Sequence, residues 1–361
     1  MAGGRPYAPT PYGRIPYGPR PYATTPHACL PARPSRPVPP PSTLERPVEL
    51  FPQLPLESWR DTKETLHRFL QIVGKIRLAG SPRSNHWWNV PFHLTGEGIT
   101  TRPMGPVNGG DAFCVDFDFV AHRLVVRTLT GRWTSFPLTE RSVADFYRDT
   151  LGALAALGID VAPGLSHPFD LPDAGRPFAE DHEHRSYDPA AVTRYWRVLS
   201  QVNLLLEEYA AGFSGKTSPV HHFWHTFDIA VTRFSGREVE PPADADPVTR
   251  EAYSGEVISA GFWFGDDNVP APAFYSYTAP EPADLATRGL RPDTAHWTAN
   301  RGSHLALLMY EDARAADDPW GATLDFLTSA FRAGAALADW EPRRECPGGI
   351  TDPQLSKVAS R

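Results

Sequence analysis

The sequence predicts an α+β fold of two similar halves, each made of a helix, an antiparallel sheet and a closing helix. Three observations point to it. Segments with apolar residues at helical spacing open and close each half. Between them lie short runs that alternate apolar and polar residues, as strands with one buried face do. The order of these segments then recurs, which suggests an internal duplication around a central cleft. A chain of 361 residues, 41% hydrophobic and 21% charged, has the length for one large domain or two and the apolar content for a packed core.

The elements follow in order. Residues 1–47 read as a disordered tail, with fourteen prolines and Pro-Tyr repeated at Pro6-Tyr7, Pro11-Tyr12, Pro16-Tyr17 and Pro21-Tyr22. The N-terminal half spans 48–160. Ser58 is placed to cap a helix carrying Trp59, Leu66, Phe69, Leu70, Val73 and Ile76, ending near Gly74-Lys75. Asn85–Leu94 is strand-like, Phe113–Phe119 alternates cleanly, and Thr130-Gly131 joins Leu124–Thr128 to Trp133–Phe136 as a hairpin. Thr139 caps the closing helix, and Gly158 ends it.

The C-terminal half spans 161–341. Asp188-Pro189 starts its helix as cap and first-turn proline, and Gly212 ends it. A His/Trp-rich segment at His221–His225 leads into strands at Asp228–Phe234, Val257–Phe264, Phe274–Thr278 and Leu305–Tyr310. Asp318-Pro319 starts the last helix, and 342–361 reads as a flexible C-terminal tail.

Charge narrows the partners. The tail holds six arginines against one acid, so the net charge of −7 leaves the body acidic, which disfavours nucleic acid. No apolar run is long enough to span a membrane, which excludes a membrane partner of that kind. The widely spaced Cys29, Cys114 and Cys346 suit a reducing cytoplasm better than a disulfide framework. No motif specifies an oligomeric state.

Candidate chemistry gathers in few places. Arginine outnumbers lysine 31 to four, so Lys75 and Lys216, each after a glycine, stand out as cations for a small anionic or carbonyl-bearing ligand; bonding to helix-end carbonyls is the competing reading. His86 and His221 are candidate proton donors or acceptors, with Asp118 or Asp228 to orient an imidazole. Were 221–228 extended, His222, Trp224, Thr226 and Asp228 would share one face. Asp116 and Asp118 could form a carboxylate pair, although Arg233 and Arg237 would then be natural partners for them. Arg77, Asn85, Ser218 and Arg233 complete the candidate binding set, with Trp88 and Trp224 as apolar walls.

Other chemistry lacks a signature. Ala210–Thr217 fits a relaxed phosphate loop, but a helix enters it where a strand should. With neither His-Glu-x-x-His nor a cysteine pair, no metal site is expected. No motif specifies a cofactor.

These motifs resemble an uncharacterised bacterial family catalogued as domain of unknown function 5996. The resemblance rests on Thr65-Leu66-His67, Gly74-Lys75-Ile76-Arg77-Leu78, Asn85-His86-Trp87-Trp88, Phe117-Asp118-Phe119, Gly215–His221, Arg233–Arg237, Ala252-Tyr253-Ser254, Ser259–Trp263 and Phe274–Tyr277, over about residues 56–341. It implies no activity. Two departures stand out: Gly255 where that family's pattern suggests a histidine before Glu256, and His222 and His225 where an aromatic and a glycine would be usual. Should that histidine matter, the activity has moved onto His225 or weakened.

The functional expectation is therefore a ligand-binding protein or enzyme with an aromatic Lys/His cleft. The alternative is a non-catalytic partner-binding or structural protein in which the same residues hold the fold together.

Overall fold

Eleven strands and six α-helices account for the regular structure of the computed structural model, which describes residues 49–105, 110–160, 166–241, 243–300 and 302–346. The tail expected over 1–47 lies outside the described residues.

Helix α1 (Arg60–Gly80) is preceded by a 3₁₀ turn at Leu56–Ser58. Ser58 donates to the Pro55 carbonyl at 2.7 Å and does not cap the helix. The helix also outruns its predicted end. Gly74 is no terminator but a contact point, because a Cβ there would fall 2.2 Å from the Trp224 ring.

Strands β1 (His93–Leu94), β2 (Gly98–Thr100), β3 (Phe113–Asp118), β4 (Arg123–Thr128) and β5 (Trp133–Pro137) form an antiparallel meander in chain order. The β4–β5 hairpin turns at Gly131, whose φ of 90° suits glycine. Helix α2 (Val143–Ala156) starts at a capping box between Ser142 and Asp145, three residues beyond the expected Thr139.

Helix α3 (Pro189–Ala211) is capped by Asp188, with proline in its first turn, as its sequence predicts. Strands β6 (His221–Phe223), β7 (Asp228–Glu238), β8 (Gly255–Trp263), β9 (Ala273–Ala279), β10 (His296–Asn300) and β11 (Ser303–Met309) follow, with α4 (Pro247–Ala252) between β7 and β8. Helices α5 (Tyr310–Ala315) and α6 (Pro319–Leu337) come last. This second sheet has the order β10-β11-β9-β8-β7-β6.

The two sheets meet at one backbone pair. Phe92 and His222 exchange hydrogen bonds of 2.9 and 3.2 Å, which sets His93 opposite His221. A row of cross-strand partners therefore crosses all eleven strands: His296, Leu307, Tyr275, Gly261, Ala230, His221, His93, Thr100, Asp116, Val125 and Ser135.

Helices α1, α2, α3 and α6 cover the face opposite this row. Phe69 of α1 stacks on Phe146 of α2 at 4.0 Å, and Phe146 stacks in turn on Phe117 of β3. The same buried core runs on through Leu199 and Leu206 of α3, Ile229 and Val231 of β7, Ile258 of β8 and Phe331 of α6. Helix, antiparallel sheet and helix thus recur in both halves. The sheets differ, however: five strands in chain order against six, with the last two exchanged.

The segment expected to be flexible from 342 is structured through Cys346. Pro342–Arg344 forms a 3₁₀ turn, Glu345 pairs with Arg332 at 2.8 Å, and the Cys346 N–H donates to Gly212. Residues 347–361 lie outside the described residues.

Candidate functional site

On the face of the second sheet away from α3 and α6, period-two alternation along β7 turns Asp228, Ala230, Thr232 and Phe234 outward while Ile229, Val231 and Arg233 enter the core side. Beside them on β8 lie Gly261, opposite Ala230, and Ser259, opposite Thr232. Ala230, Thr232 and Ser259 form the floor of a cleft of about 350 Å³, within the range of small-molecule sites. Tyr275 and Tyr277 of β9, Tyr253 beyond α4, Phe223 of β6 and Trp88 stand around it.

Gly261 has a specific task. Tyr275 crosses over it to donate its hydroxyl to Asp228 Oδ2 at 2.5 Å, and a Cβ at Gly261 would lie 2.5 Å from the Tyr275 hydroxyl oxygen. Thr226 donates to the other carboxylate oxygen. Tyr253 and Tyr277 share a hydroxyl–hydroxyl bond of 3.1 Å. Burial raises all three tyrosines above the ordinary phenol value, so they stay neutral donors.

The opposite end is built by an unusual turn. Asn85–Trp87 is a 3₁₀ turn, not the strand its Trp and Val content suggests, and only His93–Leu94 beyond Pro91 is extended. His86 and Trp87 both adopt left-handed backbone, φ 54° and 58°, a conformation that costs non-glycine residues about 1–2 kcal/mol each. The result is that His86, Trp87 and Trp88 all face the cleft.

Lys216 meets this turn from the strand-like segment beside β7. Its Nζ lies 2.7 Å from His86 Nε2 and stands over the rings of Trp88 (5.3 Å) and Phe234 (4.5 Å). An ammonium can only donate, so Nε2 accepts and the proton sits on Nδ1, which is buried with no hydrogen-bond partner among the described residues. Burial, followed by the Lys216 charge, lowers the His86 pKa. Among the described residues no carboxylate pairs with Lys216.

His221 lines the cleft midway. Burial, with His93 and Arg102 adding, pushes it down to about 3, so it is a neutral imidazole at physiological pH. Its ring lies 5.4 Å from that of His93. His225 also lines the cleft, its pKa lowered by burial. Ser218 lines it too, its Oγ accepting the Thr232 N–H at 2.9 Å.

The remaining candidates lie elsewhere, for local reasons. Lys75 sits half-buried on α1, outside the cleft lining, with its pKa lowered by burial. Arg77 is buried near the end of α1 and donates to the Pro103 carbonyl at 3.4 Å; burial and Arg102 lower it to about 10. Asn85 is exposed, its carbonyl closing the turn to the Trp88 N–H. Trp224 is buried against Gly74 and donates to the Val90 carbonyl at 3.2 Å.

Arg233 points to the helical face, its guanidinium 3.7 Å from the Tyr209 ring and donating to the Tyr209 carbonyl. Asp118 accepts the Val120 and Ala121 N–H groups and pairs with Arg123 at 3.2 Å, while Asp116 pairs with Arg127; neither meets Arg233 or Arg237. His222 is on the helical face, bonded to the Tyr195 hydroxyl at 2.7 Å and the Asp228 carbonyl at 2.8 Å. Because 224–227 is a turn, Asp228 faces the same side as His221, not His222.

Sequence reasoning missed Tyr253, Tyr275, Tyr277 and Trp263. The signal was there in Phe274-Tyr275-Ser276-Tyr277, where alternation puts both tyrosines on one face. A separate cluster, Asp173, Asp181 and His184, has ligand atoms close enough for a metal ion. Arg68 already supplies its positive charge, 2.7 Å from Asp173 and 3.6 Å from Asp181.

Residues 51–346 match a family of unknown function (DUF5996). The chain belongs to that family. No curated protein and no solved structure matches it. Several segments that carry the DUF5996 resemblance border the cleft: the His86–Trp88 turn, the segment around Lys216 and Ser218, Ala252-Tyr253 and the Tyr275–Tyr277 strand. Gly255, where that resemblance suggests a histidine, adjoins this end too; a Cβ there would contact Phe234 at 3.5 Å and His86 at 4.0 Å.

Proposed function

We propose that the protein binds, and as an enzyme would act on, a small organic molecule whose anionic or carbonyl group is received by Lys216 and His86. The observation that supports this best is the Lys216 ammonium at 2.7 Å from a neutral imidazole, over two aromatic faces, with no carboxylate partner among the described residues. A lysine in that setting keeps N–H donors and a positive charge for a ligand. His86 and His221, both held neutral, serve as hydrogen-bond partners or bases rather than as cations.

The fold-stabilising reading applies to Trp224, Arg233 and Asp118, each bonded to nearby backbone. We further propose a cytoplasmic location and no nucleic-acid partner, from the free Cys114 and Cys346 and the net charge of −7. Among the described residues no helix is long and apolar enough to cross a membrane.

The test is calorimetric titration with 3-phenylpropionate and with benzaldehyde, on the native chain and on Lys216→Met. Saturable binding weakened about tenfold or more in the variant supports the reading. Binding that Lys216→Met leaves unchanged, or no binding of either probe, overturns it.

A further inference from the structure

We infer that the far end of the cleft, at Asp228, is a subsite for an organic cation such as an alkylammonium group. This rests on the reading of the cleft as a ligand site, but not on Lys216 as its anion receptor.

Asp228 begins β7 with its carboxylate half-buried in the cleft. Both oxygens are engaged by neutral hydroxyls, Thr226 on one and Tyr275 on the other. Those bonds orient the carboxylate without neutralising it. Among the described residues no lysine or arginine pairs with Asp228.

The two nearby imidazoles do not compensate it either. His222 is fully buried and pushed down to about 4, its two nitrogens occupied by Tyr195 and the Asp228 backbone. Burial lowers His225 as well. A half-buried carboxylate flanked only by groups that carry no positive charge keeps its own charge free to pair with an arriving cation.

The surroundings suit such a visitor. Trp263 lies beside Asp228 across β7–β8, Phe223 is its partner on β6, and Tyr275 and Tyr277 follow on β9. Electron-rich ring faces around one carboxylate are the ordinary chemistry of ammonium recognition. Because the tyrosines stay protonated, they add ring faces and hydroxyls without adding charge.

Distance then shapes the ligand. Asp228 and Phe234, next to Lys216, are six residues apart on one strand, roughly 20 Å at the usual rise per residue. A molecule that engages both ends is therefore elongated, cationic at one end and anionic or carbonyl-bearing at the other, and one that engages a single end is compact.

The experiment titrates phenethylammonium and 3-phenylpropionate into the full chain, the Asp228→Asn variant and the Lys216→Met variant, with melting curves to verify folding. Phenethylammonium should bind the native chain and weaken about tenfold or more in Asp228→Asn, while Lys216→Met binds it no more weakly than the native chain. Tyr275→Phe, which keeps the charge and removes one competing donor, should bind the amine at least as well as the native chain; if Asp228→Asn does not fold, retained amine binding by Tyr275→Phe together with competition by methylammonium carries the test.

Amine binding without binding of 3-phenylpropionate or benzaldehyde leaves this subsite standing and overturns the Lys216 reading. Carboxylate binding lost in Lys216→Met, with no amine binding or with amine binding indifferent to Asp228→Asn, overturns the subsite alone. Absence of both overturns both.

Discussion

Lys216 and Lys75 follow glycines in similar surroundings, yet it is the exposed Lys216 that contacts side chains lining the cleft, His86, Trp88 and Phe234. The difference lies in the glycines. Gly215 belongs to the segment after α3, whereas Gly74 sits inside α1 because Trp224 needs the space of its missing Cβ. The scarcity of lysine marks both positions; which of them meets the His86–Trp88 turn depends on a packing contact between segments 150 residues apart, which no local pattern encodes. Two expected outcomes follow. Lys216→Arg replaces a compact donor by a planar fork that cannot keep both the single bond to His86 and the seat over Trp88, so 3-phenylpropionate affinity should fall about fivefold or more. Lys75→Arg, outside the cleft, should leave that affinity unchanged. Calorimetry on the two variants checks both, and equal losses would contradict the placement.

Among elements, α1 shows how packing overrides propensity. Alanine at 74 would favour the helix by about 1 kcal/mol. It would also press a methyl group into an indole held by its bond to the Val90 carbonyl, and overpacking of that kind costs about 1–3 kcal/mol. Gly74→Ala should therefore lower stability by up to about 2 kcal/mol, read as a lower denaturation midpoint; a rise would mean that Trp224 moves freely. Strands β3 and β7 and helices α3 and α6 were legible because alternation or an Asp-Pro start marks each of them. The Asn85–Trp88 turn was not, since left-handed backbone at histidine and tryptophan has no sequence signature. The short β2 was invisible for another reason: three residues hold too little pattern.

For the whole molecule, buried neutral histidines set the response to acid. Burial lowers His67 and His221 to about 3 and His93 and His222 to about 4. The unfolded chain takes up those protons near pH 6.5 and the folded chain only well below it. Between these values the unfolded state binds more protons, so stability rises with pH. Stability present above about pH 6.5 should be lost progressively down to about pH 3. Each such histidine adds about 1.4 kcal/mol per pH unit to the slope inside its window. Denaturant titrations at pH 7, 6 and 5 should show a steadily falling midpoint, and a flat profile would contradict the neutral assignment. The α+β class could be read from the order of segments, but the joining of the sheets could not. That junction rests on one backbone pair, Phe92 with His222, and backbone pairing leaves no mark on residue type.

The strand that carries Asp228 and Phe234 outward also sends Ile229, Val231 and Arg233 inward. Gaining or losing one amino acid there would drive Arg233 into the cleft and Thr232 into the apolar layer. Relatives should therefore vary in length across this stretch only in even steps, except at the register shift between Phe234 and Glu238, where a single extra residue can be absorbed.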